Sequence, residues 1–201
     1  MDKLFSYAKY SAYALIALLV LRLAMYNSHA SSASTILYAA AIVSTILLLG
    51  FFIGLIANSK KGSPVIIPAT IGAFGEGLTV VSTVMFMIFF MKMNPDAPSD
   101  APVKLLNVAN IIDSVALFII CVAFIYLSIY FGKNSAPRFA AWAVAAVLLI
   151  FFAIGKIVQP WEWSDIEAVT RFNMIRYFAN NILLYGAYAW FLLSFANLKH
   201  K

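Results

Sequence analysis

A chain of 201 residues that is 64% hydrophobic and only 11% charged lacks the polar surface of a water-soluble globule, since soluble domains carry about 25% charged residues. Lipid is the expected solvent, so the net charge of +6 is not read as a nucleic-acid surface. The basic residues lie in short stretches between apolar runs, which is the pattern membrane topology alone produces.

Crossing about 30 Å of hydrocarbon takes roughly 20 residues. Six apolar runs meet that requirement, at about 8–27, 34–58, 65–91, 104–132, 138–159 and 170–198. The expected fold is all-α: one domain over residues 1–201, a polytopic bundle of six transmembrane helices. Placing both termini in the cytoplasm puts Lys3, Lys9, Lys60, Lys61, Lys133, Arg138, Lys199 and Lys201 inside, against Lys92, Lys104 and Arg171 outside. That bias of eight to three follows the positive-inside rule. A bacterial-type cytoplasmic membrane is the expected location.

The first run carries Lys3 and Lys9 ahead of it and ends near Ser28-His29-Ala30, a loose likeness to a signal-peptidase site. Arg22 interrupts the run, so it is read as a span rather than a leader. Lys-x-Ser opens the first, third and fifth spans, at Lys9, Lys61 and Lys133. Basic residues are expected at cytoplasmic ends, so this is not taken as a repeat of helical hairpins. In the second run Gly50 and Gly54 form a GxxxG pair suited to close helix approach.

The third run holds Glu76 between Gly75 and Gly77, roughly twelve residues in, or about 18 Å from the cytoplasmic end at 1.5 Å per residue. A charge at that depth costs roughly 2.5–3.5 kcal/mol on insertion scales, so it needs a partner, a cavity or a proton. Gly72, Thr79 and Thr83 share its helix face at offsets of four, three and seven. The glycines admit two readings: an unwound helix at mid-membrane, or close packing of the kind that Ala69, Ala73 and Gly77 repeat at four-residue spacing. Close packing is preferred.

The fourth run has a second polar stripe, Asn107, Asn110, Asp113 and Ser114, and the sixth a third, Asn173, Arg176 and Asn180. Polar groups in spans normally face the bundle interior, so the three stripes are expected to enclose a wet vestibule open to the non-cytoplasmic side. Asp113 and Arg176 are expected to pair there, and the asparagines also suit hydrogen bonds between helices. Arg22 and Lys156, near the outer ends of the first and fifth spans, are expected to snorkel outward. Trp161 and Trp163 fit the aromatic belt at the outer interface.

The sequence contains only Cys121 and two histidines, His29 and His200, in a loop and a tail. No disulfide, thiol redox pair, interspan haem ligation or catalytic metal cluster is expected from that set. No nucleotide, hydrolase or metalloprotease motif occurs. Glu76 and Asp113 as a catalytic carboxylate pair lack anything that marks a substrate, so neither an enzyme nor a cofactor is expected. Two functions fit: a small permeation protein, transporter or channel, with a buried acid coupled to protons or cations; or a non-catalytic subunit packed within a larger membrane complex. The candidate pathway residues are Glu76, Thr79, Thr83, Asn107, Asn110, Asp113, Asn173, Arg176 and Asn180. The expected partners are the lipid bilayer and a second copy or other membrane subunits.

Overall fold

The computed structural model describes residues 1–25, 31–92, 100–133, 135–157 and 180–200. Among them there are helices and turns and no strands, as expected where lipid cannot satisfy an open backbone and a helix satisfies its own. The helices are α1 (Asp2–Met25), α2 (Ser31–Asn58), α3 (Ile66–Lys92), α4 (Asp100–Tyr130), α5 (Ala136–Ile157) and α6 (Gly186–Ala196). A π-helical segment, Asn180–Tyr185, leads into α6, and a 3-10 turn, Asn197–His200, follows it.

Four helices are long and apolar enough to cross a membrane: Asp2–Met25, Ala39–Asn58, Ile66–Phe89 and Asn107–Tyr130. The remaining two runs contain shorter apolar stretches, Ala136–Phe151 and Ile182–Ala196. The start of the sixth expected span, residues 170–179, lies outside the described residues, as do Trp161 and Trp163. The first span begins earlier than position 8 because Leu4 and Ala8 are both buried against the bundle. The outer surface of the described residues is rich in exposed apolar side chains, Ile53, Val81, Phe118, Ile129 and Leu149 among them. Such a surface is stable only when lipid covers it.

Each helix packs against its neighbours in sequence, and α6 returns to pack against both α5 and α1. The six helices thus close into a ring. Phe5 near the start of α1 and Phe195 near the end of α6 stack at 5.3 Å, so the first and last helices meet at one end, which we call the terminal end.

Small residues set how closely the helices approach. A Cβ on Gly54 would lie 2.8 Å from Leu4 Cδ1, and one on Gly50 would run into Tyr7, whose hydroxyl donates to the Leu47 carbonyl at 3.0 Å. The GxxxG pair of α2 therefore seats α1. Gly72 receives the Phe52 ring of α2, and Gly75 receives Ile119 and Ile120 of α4. The α3 helix runs unbroken through this stretch, so close packing accounts for Gly72 and Gly75, while Gly77 has open space around it.

The interior of the ring is divided along its axis. Toward the terminal end it is filled by aromatic rings: Phe124 lies 4.9 Å from Phe191 and 5.8 Å from Phe52, and Phe51 lies 5.6 Å from Phe191 and 5.0 Å from Phe195. Most of these pairs are edge-to-face, the arrangement that sets the positive ring edge against the negative ring face. Beyond the rings, at the terminal end, lies a hollow of 900 Å³ lined by Phe5, Leu55, Phe131 and Phe195 and by the Lys60–Ser63 turn, where Gly62 takes φ +82°. On the other side of the rings the lining turns polar.

Candidate functional site

A cavity of 260 Å³ sits in the ring above the aromatic layer. The helix repeat explains its position. Thr79 and Thr83 follow Glu76 at three and seven residues, so all three side chains lie on one face of α3; that face is turned inward by the contacts of Gly72 with α2 and Gly75 with α4. Glu76, Thr79 and Thr83 line the cavity, with Ser44 and Thr45 of α2 and Asp113 of α4. Arg22 of α1 and Tyr185 and Tyr188 from the last segment complete its polar wall, and Leu15, Leu48 and Ile120 supply apolar floor. From Glu76 to Thr83 is seven residues, about 10 Å along the axis. There is room for several waters at about 30 Å³ each.

Glu76 is 2% exposed, and its Oε1 is buried without a hydrogen-bond partner among the described residues. A buried carboxylate oxygen is ordinarily paired, because an unmade bond there costs the full desolvation of the group. Among the described residues, that oxygen meets the cavity rather than a partner side chain. Asp113 is supported differently: Ser82 Oγ lies 3.2 Å from Asp113 Oδ1 and 3.0 Å from the Thr79 carbonyl, two acceptors for one hydroxyl proton. Ser82 is wholly buried, so it ties the carboxylate of α4 to the backbone of α3.

Arg22 departs from the expectation. It turns inward rather than outward: its Nη1 donates to the Tyr185 hydroxyl, and its guanidinium carbon lies 5.1 Å from the Tyr185 ring centroid. The cavity wall offers it a hydroxyl and an aromatic ring inside the bundle, which a snorkelling side chain would forgo. Tyr185 closes the π-helical segment just before α6; such segments shift the helical register and recur at functional sites.

Asn107 and Asn110 are also corrected. Both are exposed, and neither lines the cavity. At about 100° per residue, steps of three drift backward by about 60° each, so Asn107 stands about 120° around α4 from Asp113. Ser114 is part-buried, and its hydroxyl donates to the Asn110 carbonyl at 2.8 Å. Asn173 and Arg176 lie outside the described residues, so the expected Asp113–Arg176 pair does as well; the side chains of Asn180 and Lys156 are likewise not described.

Ser44, Thr45, Ser82, Tyr185 and Tyr188 were not singled out by sequence. Serine and threonine are common in membrane helices, where they donate back to their own backbone, and the tyrosines read as part of an apolar run. The described residues include no group of three or more His, Cys, Asp or Glu able to hold a metal ion. No family model matches the chain, no curated protein matches it, and no solved structure matches it.

Proposed function

We propose that the chain is a small six-span permeation protein of a cytoplasmic membrane, with both termini inside, in which Glu76 takes up and releases a proton or small cation. The observation that carries this reading is the buried carboxylate of Glu76, whose Oε1 has no hydrogen-bond partner among the described residues, facing a polar cavity inside a single bundle. A carboxylate used only to glue helices together would be expected to meet a donor across the interface.

The layered interior supports the same reading. A polar cavity on one side and a hollow on the other, with aromatic rings between, is the form of a pathway closed in the middle by an apolar constriction. From Leu48, which lines the cavity, to Leu55, which lines the hollow, is seven residues, so the barrier is about 10 Å thick. One observation favours a second reading, membership of an oligomer or larger complex. Asn107 and Asn110 are exposed on α4, and amides on a lipid-facing surface are stabilised by a partner helix.

The test is ion flux in reconstituted vesicles. Glu76→Gln keeps the shape of the side chain and removes its proton chemistry, so it abolishes pH-dependent flux and leaves folding intact. Among the described residues, the charged and titratable groups facing Glu76 across the cavity are Arg22, Asp113, Tyr185 and Tyr188, and α2 contributes the hydroxyls of Ser44 and Thr45. Flux in Glu76→Gln with an unchanged pH profile would refute the assignment.

A further inference from the structure

The serine and threonine hydroxyls that α2 and α3 turn to the cavity have already used their protons. Thr79 Oγ1 donates to the Gly75 carbonyl at 3.2 Å, Thr83 Oγ1 to the Thr79 carbonyl at 2.8 Å, Thr45 Oγ1 to the Ala41 carbonyl at 3.0 Å and Ser44 Oγ to the Ala40 carbonyl at 2.7 Å. A hydroxyl has one proton and two lone pairs. With the proton returned to the helix, each of these groups presents the cavity with an acceptor. Glu76 adds a buried oxygen with no hydrogen-bond partner among the described residues. The α2 and α3 side of the cavity is thus a wall of acceptors, which suits a ligand that brings positive charge. Among the described residues Arg22 is the cationic side chain on the wall, and it directs Nη1 to the Tyr185 hydroxyl.

We infer that this cavity binds a small monovalent cation, of the alkali-metal or ammonium type, held by the Glu76 carboxylate and the Thr79 hydroxyl oxygen, with the Thr45 and Thr83 oxygens accepting from the water that stays on it. The inference deepens the permeation reading by naming the class of ion, and rests on it for the ion's passage but not for its binding. Monovalent is favoured over divalent for two reasons. Calcium takes six to eight oxygens, usually several of them carboxylate, and transition metals favour imidazole or thiolate, whereas no cluster of three such residues occurs among the described residues. The volume of 260 Å³ far exceeds the ~30 Å³ share of one water, so the ion keeps part of its hydration shell and the Glu76 and Thr79 oxygens replace the rest.

The experiment is equilibrium binding of radiolabelled sodium to the full chain purified in detergent, with potassium, methylammonium and magnesium as competitors. Saturable binding is expected, displaced by potassium or methylammonium better than by magnesium. Glu76→Gln is expected to weaken it about tenfold or more, equivalent to about 1.4 kcal/mol, and Thr79→Val severalfold. Thr70→Val is the control: its hydroxyl also donates back, to Ile66 at 2.8 Å, but it is exposed on the outer side of the same helix, so binding is unchanged. If Glu76→Gln fails to fold, Thr79→Val against Thr70→Val carries the comparison. Absence of saturable binding by any of the monovalent ions overturns the site, as does equal loss in Thr79→Val and Thr70→Val. Proton flux that depends on Glu76 without cation binding would refute the site and leave the permeation reading standing. Cation binding by a chain that passes no ions would do the reverse.

Discussion

Gly75 and Gly77 flank Glu76, and the structure assigns them opposite responses to the same substitution. A methyl at Gly75 would stand 2.6 Å from Ile120 Cγ1, 3.2 Å from Ile119 Cγ2 and 3.2 Å from the Ile120 backbone nitrogen. Ordinary contact between carbon atoms is about 3.5–4.0 Å, so the overlap with Ile120 is about 1 Å. Ile120 is 1% exposed, and the backbone nitrogen behind its side chain moves only if α4 moves. Overpacking of this kind costs about 1–3 kcal/mol. A methyl at Gly77 meets nothing within 4 Å, so Gly77→Ala brings only the helix preference of alanine over glycine, at most about 1 kcal/mol of stabilisation. Because the change in chemistry is the same, that preference cancels between the two variants. Gly75→Ala is therefore expected to be less stable than Gly77→Ala by about 1–3 kcal/mol. Denaturant titration of the two proteins in one detergent, followed by circular dichroism, measures the difference directly. Equal stabilities, or a less stable Gly77→Ala, would refute the register of α3 against α4 and with it the inward placement of Glu76.

Two other outcomes follow from the same geometry. The proposed topology, with both termini inside, predicts that a cysteine at Lys61 in a Cys121→Ala background is labelled from the inside of intact cells and not from the outside; labelling from the outside would reverse the topology. Phe191 touches Phe51, Phe124 and Phe131 across the ring, at 5.6, 4.9 and 6.1 Å. Phe191→Ala is expected to lower stability by roughly 3–5 kcal/mol and to raise passive ion leak in vesicles, which Phe191→Leu leaves low; equal leak in both variants would remove the aromatic barrier.

Composition and periodicity made much of this legible. The apolar runs were plain because polar residues are sparse in them, and the α3 stripe was plain because Glu76, Thr79 and Thr83 repeat at helical spacing. Gly72 shares that spacing but packs against Phe52 instead of lining the cavity. A stripe states direction and not what lies there. The α4 stripe failed because repeated steps of three drift around a helix: Asp113 faces the cavity while Asn107 and Asn110 face out. Arg22 was misread because position along a span does not reveal which neighbour is in reach. Tyr185, some 160 residues later in the chain and at the end of a π-helical segment, has no sequence signal linking it to α1.

The account stands on Glu76 and its threonines meeting water inside the bundle rather than lipid outside it. Thr79 lines the cavity, while Val81, two residues on, is 47% exposed on the outer surface. Single cysteines at these positions in the Cys121→Ala background separate the two environments, because only a thiol that meets water ionises and reacts. With a membrane-impermeant cationic thiol reagent applied to reconstituted vesicles, Thr79→Cys is predicted to be modified from the side opposite the terminal end and Val81→Cys to stay unmodified. Modification of Val81→Cys with Thr79→Cys protected would contradict the account.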